Sequence, residues 1–437
     1  MDGKTILDNY RLNKALLQKI KPQKIEVIIL AHNHQDHIGL VPALYSTGKC
    51  SARIVVPAKS TAIIKEMWLD CAWINERDAE YLSQKAEKYV EPLFTEDDVY
   101  RALQFIEEYP SDEIFQLSEN LSIRYSPAGH IFLSQQTEVF IQNGSRRSIL
   151  FTSDLGNLIT QHEHVFVENF TPVKKANIVI GECTYSAKNR EITRKNVDTD
   201  FHKLESVVRQ FCVDSKNRVL IPTFSLDRMP YILWMLYTIF GGDKSFDVPI
   251  IVDSPLAIRL LNAYSELLED AAKESFDKMM SWKNIKLIVD PEDSKAAVES
   301  KKSAVICSSS GMITAGRSVK WLKSILPNEN DCVLIIGYMA ENSLGWKIKN
   351  GEHQKTISIQ GKPYKNNAQI YNLVSCSSHM QREDLIKYYS EIVADKIYLV
   401  HSDHNKVYFK DDLELAIQEK LKTTKVLLPN KSTRITL

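Results

Sequence analysis

Ile25-Glu26-Val27-Ile28-Ile29-Leu30-Ala31 runs directly into His32-Asn33-His34-Gln35-Asp36-His37. The apolar, β-branched run predicts a buried strand, and a helix is expected soon after, through Leu40 to Tyr45. In extended chain, side chains two residues apart share a face, so His32 and His34 can reach one cation. Asp36 and His37 begin the turn into the helix and can face a second. Imidazole with carboxylate suits zinc and leaves coordination positions open for water and substrate. The bland alternative is a surface histidine patch. Four ligand-type side chains between His32 and His37, at the end of a strand, rarely arise for packing reasons.

Further ligands sit at the ends of later predicted strands. His130 closes Pro127-Ala128-Gly129-His130, Asp154 lies in Thr152-Ser153-Asp154-Leu155-Gly156, and His401 follows Ile397-Tyr398-Leu399-Val400. Each alone is more often structural. Together they complete a dinuclear set, with His32, His34 and His130 on one ion, Asp36, His37 and His401 on the other, and Asp154 bridging. His162, His164, His202, His353 and His404 have no place in it, although His404 could substitute for His401.

The rest of the chain reads as two α/β blocks. At 437 residues it is too long for one ordinary core. Helical spacing covers about 60–110, and strand signals return at 121–125, 138–141, 148–151 and 176–180. From about 190 the pattern alternates: helix 197–211, strand 218–223, helix 229–240, strand 248–252, helix 256–268, strands 304–307 and 333–336. Alternation predicts a parallel sheet covered on both faces. After about 365 come a strand, the helix 381–392, the strand 396–400 and a short β tail. The middle block is expected to be an α/β insertion within another α/β domain.

Composition narrows the class. A 44% hydrophobic and 25% charged chain with zero formal charge is globular, and its overall field favours no polyanion. Seven cysteines without a C-x-x-C pair argue against disulfides or thiolate metal sites and for a reducing cytoplasm. The most apolar run, 229–240, is too short for a membrane span. A cytoplasmic protein with no membrane association is expected.

HNHQDH matches the H-x-H-x-D-H signature of metallo-β-lactamase-fold hydrolases, and PAGH and TSDLG resemble that family's next ligand motifs. The β-CASP nuclease branch is resembled in particular. Glu182 in Gly181-Glu182-Cys183-Thr184-Tyr185 matches its acidic motif, His379 in Ser377-Ser378-His379-Met380 its first histidine motif, and His401 its second. PTFSLDR (222–228), DSPLA (253–257), SSGM (309–312) and GYM (337–339) match as well. The resemblance covers nearly the whole chain. It implies a metallo-β-lactamase αββα sandwich, N-terminally short, over 1–188 and 362–437, with an inserted β-CASP parallel α/β domain over 189–361.

The same resemblance implies two Zn2+ per chain, with a hydroxide held between them that attacks an RNA phosphodiester. His379, held by Glu182, is the expected general acid, because a carboxylate beside imidazole orients it and raises its pKa. A purely structural His–Glu contact is the rival. Asp36 is expected to hold the nucleophile as well as a metal. Ser377, Arg228 and Ser310 are candidates for phosphate binding, with an ion pair to a neighbouring acid as the alternative for Arg228. A histidine at the position of His401 accompanies RNA-cutting members, so single-stranded RNA is the expected substrate, cut endonucleolytically in RNA processing or decay. A homodimer is kept as an alternative to the monomer. Rival functions are a small-molecule hydrolase of the same fold, a catalytically weak scaffold in an RNA-processing complex, and a DNA-repair nuclease.

The chain departs from the family pattern at several points. Only 31 residues precede the motif, where related folds place two or more strands. Asp2-Gly3 resembles the Asp-Gly turn that normally sits just ahead, giving Asp2 a structural role. Gln381 stands where relatives carry an acid, Leu133 replaces a small residue, and Ser402-Asp403 replaces a Gly-acid pair.

Overall fold

The computed structural model describes residues 3–159, 164–187, 193–351, 355–402, 407–430 and 433–434. They form two compact units. One comprises Lys21–Lys65, Asp97–Thr193 and Ser378–Leu437, and the other Met1–Ile20, Glu66–Glu96 and Arg194–Ser377.

The first unit carries every predicted metal ligand and contains two sheets. The smaller has three parallel strands, Val27–Ile29, Arg53–Pro57 and Ile106–Tyr109. The larger has seven, in the order Lys425–Leu427, Lys396–Val400, Ile178–Glu182, Ser145–Phe151, Gln135–Asn143, Leu121–Pro127, Ile114–Ser118. Its first four strands are parallel and the remainder antiparallel. Alternate residues bury Val55, Leu117, Ile123, Tyr125 and Val139 in one core between the sheets. Each such side chain contributes about 1.5–3 kcal/mol. The Tyr125 hydroxyl keeps that core free of an unpaired polar atom, lying 2.8 Å from the Leu30 carbonyl and 3.0 Å from that of Val55. On the opposite face of the large sheet, Leu385, Ile386 and Tyr389 of helix Arg382–Glu391 join Leu413 and Ile417 of helix Val407–Gln418. They pack on Leu150, Val179 and Ile397.

Strand direction matters for the site. Leu121–Pro127, Ser145–Phe151, Ile178–Glu182 and Lys396–Val400 all run the same way, so their C-terminal ends lie at one edge of the sheet.

The second unit holds a six-stranded sheet in the order Ile285–Leu287, Ile250–Asp253, Ala304–Ser308, Arg218–Pro222, Cys332–Ile335, Gln369–Asn372, all parallel. Its central strands are buried along their whole length, as expected for a parallel sheet with both faces covered. Leu220, Ile306 and Val333 pack there with Trp321 and Leu322 of helix Gly316–Ile325. Arg218 opens its strand buried and paired with Asp331, which accepts the Arg218 backbone N–H at 2.9 Å and its Nε at 3.1 Å. Removing one partner of such a pair strands a buried charge. Asp331→Ala is therefore expected to cost about 3–5 kcal/mol of unfolding free energy. Urea denaturation measures this, and a loss under ~1 kcal/mol, the worth of an exposed pair, would contradict it.

Several expectations need correction. Gly3 is not in a turn but opens helix Gly3–Leu17, and Asp2 lies outside the described residues. The helical reading of 60–110 holds for Ser60–Ala86 and Glu96–Leu103, but Ile106–Tyr109 is a strand, with Ile54 opposite Ile106. The helix expected through Leu40–Tyr45 is a single tight turn at Pro42–Leu44, preceded by a short helix, Gln35–Ile38. The compact units also divide the chain differently from the expected boundaries. Residues 362–377 join the parallel sheet because Gln369–Asn372 satisfies its backbone groups on Cys332–Ile335. Met1–Ile20 and Glu66–Glu96 belong with them, tied by Tyr10 to the Glu91 carbonyl (2.9 Å) and by Glu66 to Arg259 (2.6 Å). Among the described residues, no helix is long and apolar enough to cross a membrane.

Candidate metal centre

Five segments of the first unit bring the predicted ligands together. His32 and His34 follow strand Val27–Ile29, and Asp36 and His37 occupy the one-turn helix Gln35–Ile38. His130, Asp154 and His401 follow three of the co-directional strands. One ligand atom each from His32, His34, His130 and Asp154 lie within 4.8 Å of one another, as do those of Asp36, His37 and His401. Asp154 joins the two groups. Its Oδ2 is 3.5 Å from the Nε2 atoms of His32, His37 and His130, and its Oδ1 is 3.2 Å from His401 Nδ1.

Tight backbone packing makes this convergence possible. Gly156 donates its N–H to the Ala128 carbonyl at 2.8 Å, and a Cβ on Gly156 would stand 1.8 Å from the Gly129 oxygen. Only glycine allows the loops bearing His130 and Asp154 to approach this closely. Met380 and Asn157 then bond across, to the Leu155 and Ser378 carbonyls, both at 2.8 Å. Gly156→Ala should separate the loops. We expect it to lose most metal binding, with a melting temperature lower by roughly 2–8 °C for a clash that costs ~1–2 kcal/mol. Calorimetry with metal titration tests this, and an unchanged protein refutes it.

Electrostatics describe what the cluster can hold. His130 Nδ1 faces the Ser378 carbonyl at 3.2 Å, so the neutral ring carries its proton there. Its Nε2 lone pair then points at His34 Nδ1 (3.2 Å) and at the Asp154 carboxylate. His32 Nε2 is fully buried and makes no hydrogen bond, and neither does Asp154 Oδ1. Electron pairs facing one another in a dry site are unfavourable unless a cation sits among them. Burial holds His32 and His130 well below the usual imidazole pKa and pushes His34 down to about 4, so all three offer neutral nitrogens. Burial would raise the Asp154 carboxyl, but its hydrogen bond to His37 and the histidines gathered around it, His130 and His32 foremost, hold it far below the usual range. At His401 burial lowers the pKa. The hydrogen bond to Asp36 and the Asp154 and Glu182 charges outweigh it, and the ring is pushed up to about 9. The donor set, imidazoles and carboxylates without thiolate, fits zinc.

Beside this cluster, Asp154, Glu182 and His379 also converge within 4.8 Å. Glu182, at the end of strand Ile178–Glu182, is buried and held by the backbone N–H groups of Leu155 (2.6 Å) and Thr184 (3.2 Å). It faces His379 Nδ1 at 3.3 Å, and the His379 ring packs 4.5 Å from that of His130.

The sequence did not single out the residues that orient these ligands. Ser153, left-handed at φ 54°, places its hydroxyl 2.8 Å from His32 Nδ1. Thr184 contacts His401, which is itself left-handed at φ 58°. Non-glycine residues adopt this conformation at a cost, and it recurs at functional sites. Their only sequence signal was adjacency to a motif acid. Leu133, the bulky departure, is buried at φ 63°. Gln381 donates to the His379 carbonyl at 3.1 Å and so supports the histidine directly.

The proposed phosphate contacts lie in the other compact unit. Arg228 is buried 4.0 Å from Asp227, the Ser310 hydroxyl accepts the Thr314 N–H at 2.9 Å, and Ser377 is buried. His162, His353, His404 and Asp403 lie outside the described residues. His202 is exposed and His164 buried, both away from the named groups.

Comparison with known proteins agrees with the motifs. Residues 230–348 match the Beta-Casp domain family. The chain is 26% identical over 392 residues to Ribonuclease TTHA0252 of Thermus thermophilus, covering 88% of this chain and 83% of that protein. It is 26% identical over 411 residues to RNase aCSPSF2 of Saccharolobus solfataricus, covering 92% and 74%. Transcription termination factor FttA of Methanocaldococcus jannaschii is 23% identical over 396 residues, and this chain spans 59% of its length. Residues 230–348 thus match a Beta-Casp domain, and around them the chain resembles proteins named as ribonucleases along nearly its whole length.

Proposed function

We propose that this protein is a two-zinc ribonuclease that cuts single-stranded RNA internally, in RNA processing or decay in the cytoplasm. The observation that carries the reading is the convergence of His32, His34, Asp36, His37, His130, Asp154 and His401 into two adjoining groups of metal-ligand type. Relatives named as ribonucleases supply the substrate class. We assign the metallo-β-lactamase domain to the unit bearing the histidines and the β-CASP domain to the parallel-sheet unit that contains residues 230–348.

His32, His34, His130 and Asp154 would hold one zinc, and Asp36, His37, His401 and the shared Asp154 the other. When bound, the two ions supply Lewis acidity and a nucleophilic water near neutral pH. Asp36, the most exposed of the seven, can accept a hydrogen bond from that water and orient it toward phosphorus. As the new P–O bond forms, the P–O bond on the far side breaks, and its oxygen leaves as an alkoxide needing a proton. His379 can deliver it from Nε2, because Glu182 fixes Nδ1 as the other proton-bearing atom. Two backbone N–H groups on the Glu182 carboxylate prevent it from turning away. Ser377, Arg228 and Ser310 remain candidates for the RNA phosphates, with weaker support because Arg228 and Ser377 are buried and Ser310 already caps a turn. All seven cysteines are free and buried, which suits a reducing compartment.

Circular single-stranded RNA tests the proposal. With zinc, the native protein should open the circle, and Asp36→Ala combined with His37→Ala should be slower by roughly 10³-fold or more, the scale of a lost catalytic ion. Equal rates would discard the mechanism. An intact circle beside a digested linear strand would indicate end-directed cutting, faster cleavage of a DNA circle would favour the repair-nuclease reading, and preferential hydrolysis of a thioester would favour a small-molecule hydrolase.

A further inference from the structure

The geometry points to Thr184 as the positioning residue that sets the tautomer and backbone conformation of His401, and through it the occupancy of the second metal position. The inference rests on the dinuclear reading above.

Thr184 Oγ1 lies 3.0 Å from the His401 carbonyl oxygen and 3.0 Å from His401 Nδ1. A hydroxyl has one hydrogen. The carbonyl can only accept, so that hydrogen goes to it, and the hydroxyl is left to accept from Nδ1–H. Asp154 Oδ1, 3.2 Å from the same nitrogen, favours the same proton position. With the proton on Nδ1, the lone pair lies on Nε2, which faces His37 Nε2 at 3.3 Å and Asp36 Oδ2 at 3.4 Å. One hydroxyl therefore grips both the main chain and the ring of His401.

This grip counts because His401 is otherwise weakly held. It sits just past strand Lys396–Val400, in the left-handed region at φ 58°, and its side chain is one-third exposed. Left-handed backbone is unfavourable for a residue with a β-carbon, and the hydrogen bond to its carbonyl offsets part of that. Thr184 is fixed in turn by its own N–H on Glu182 Oε2 at 3.2 Å. The carboxylate that orients His379 and the histidine of the second metal position thus share one intermediary. The first position has no such dependence, since His32 and His130 are held by Ser153 and the Ser378 carbonyl.

Zinc stoichiometry separates the two positions. Thr184→Val keeps the shape and removes the hydroxyl, whereas Thr184→Ser keeps the hydroxyl. By equilibrium dialysis and atomic emission, native protein should hold two zinc ions. T184V should keep one tightly and weaken the second about 10–100-fold, the usual effect of losing an orienting partner, and T184S should restore it. Nitrogen-15 histidine NMR of the zinc-loaded native protein gives a readout that needs no variant, and should place the His401 proton on Nδ1. A proton on Nε2, native-like second-site affinity in T184V, or equal weakening in T184S would each overturn the proposal. Native protein holding fewer than two zinc ions would instead remove the dinuclear reading beneath it.

Discussion

Asp154→Asn is expected to abolish RNA cleavage, by roughly 10⁴-fold or more, and to leave the purified protein with less than one zinc. A factor of 10⁴ corresponds to about 5.5 kcal/mol of transition-state stabilisation. The size follows from position. Asp154 is almost wholly buried and, among the described residues, is the one carboxylate within 3.5 Å of histidines from both groups. Asparagine keeps the shape but removes the charge both cations share, and turns one of the two oxygens into a donor aimed at a metal. His32, His130 and His401 keep their contacts with the Ser153 hydroxyl, the Ser378 carbonyl and the Thr184 hydroxyl, so the fold should persist. Single-turnover cleavage and metal analysis on the same preparation give the answer. Activity within tenfold of native, with two zinc ions retained, would mean Asp154 is not the shared ligand.

His379→Ala has the second largest expected effect and a different signature. It should slow cleavage of RNA by about 10²–10⁴-fold, the range of general acid catalysis, while zinc content stays at the native value. The distinction comes from geometry: His379 belongs to the group with Glu182 and Asp154 and to neither of the other two. A model phosphodiester whose leaving group departs as a stable anion needs no proton and should be cleaved at nearly the native rate. Glu182→Gln should follow the same pattern with a smaller loss, since the ring keeps its place against His130 and Tyr185. Equal losses on both substrates would make His379 a structural residue.

The part of the site that was legible in the sequence is the part written locally. HNHQDH places four ligand groups on one strand-to-turn junction, and a period of two carries His32 and His34 to the same side whatever the tertiary fold. His130, Asp154 and His401 were readable because each closely follows a short strand-like run, 121–125, 149–151 and 397–400. Their meeting depends on four strands sharing a direction, which single segments do not state. Ile106–Tyr109 escaped because Ile-Glu-Glu-Tyr has little strand character. It is a strand because its backbone pairs with Arg53–Pro57, and Glu107 accepts Arg53 at 2.8 Å. Gln369–Asn372 belongs to the parallel sheet because it pairs with Cys332–Ile335, a partner that its own sequence does not state. Ser153 and Thr184 were invisible as functional residues, because a hydroxyl next to a motif acid has meaning only once the ring it orients is in place.

Anomalous diffraction at the zinc edge, from crystals grown with zinc, tests the central claim most directly. Two adjacent peaks are expected, one among His32, His34, His130 and Asp154, the other among Asp36, His37, His401 and Asp154. A map with no peak among these side chains, or with its only zinc elsewhere on the molecule, would contradict the account.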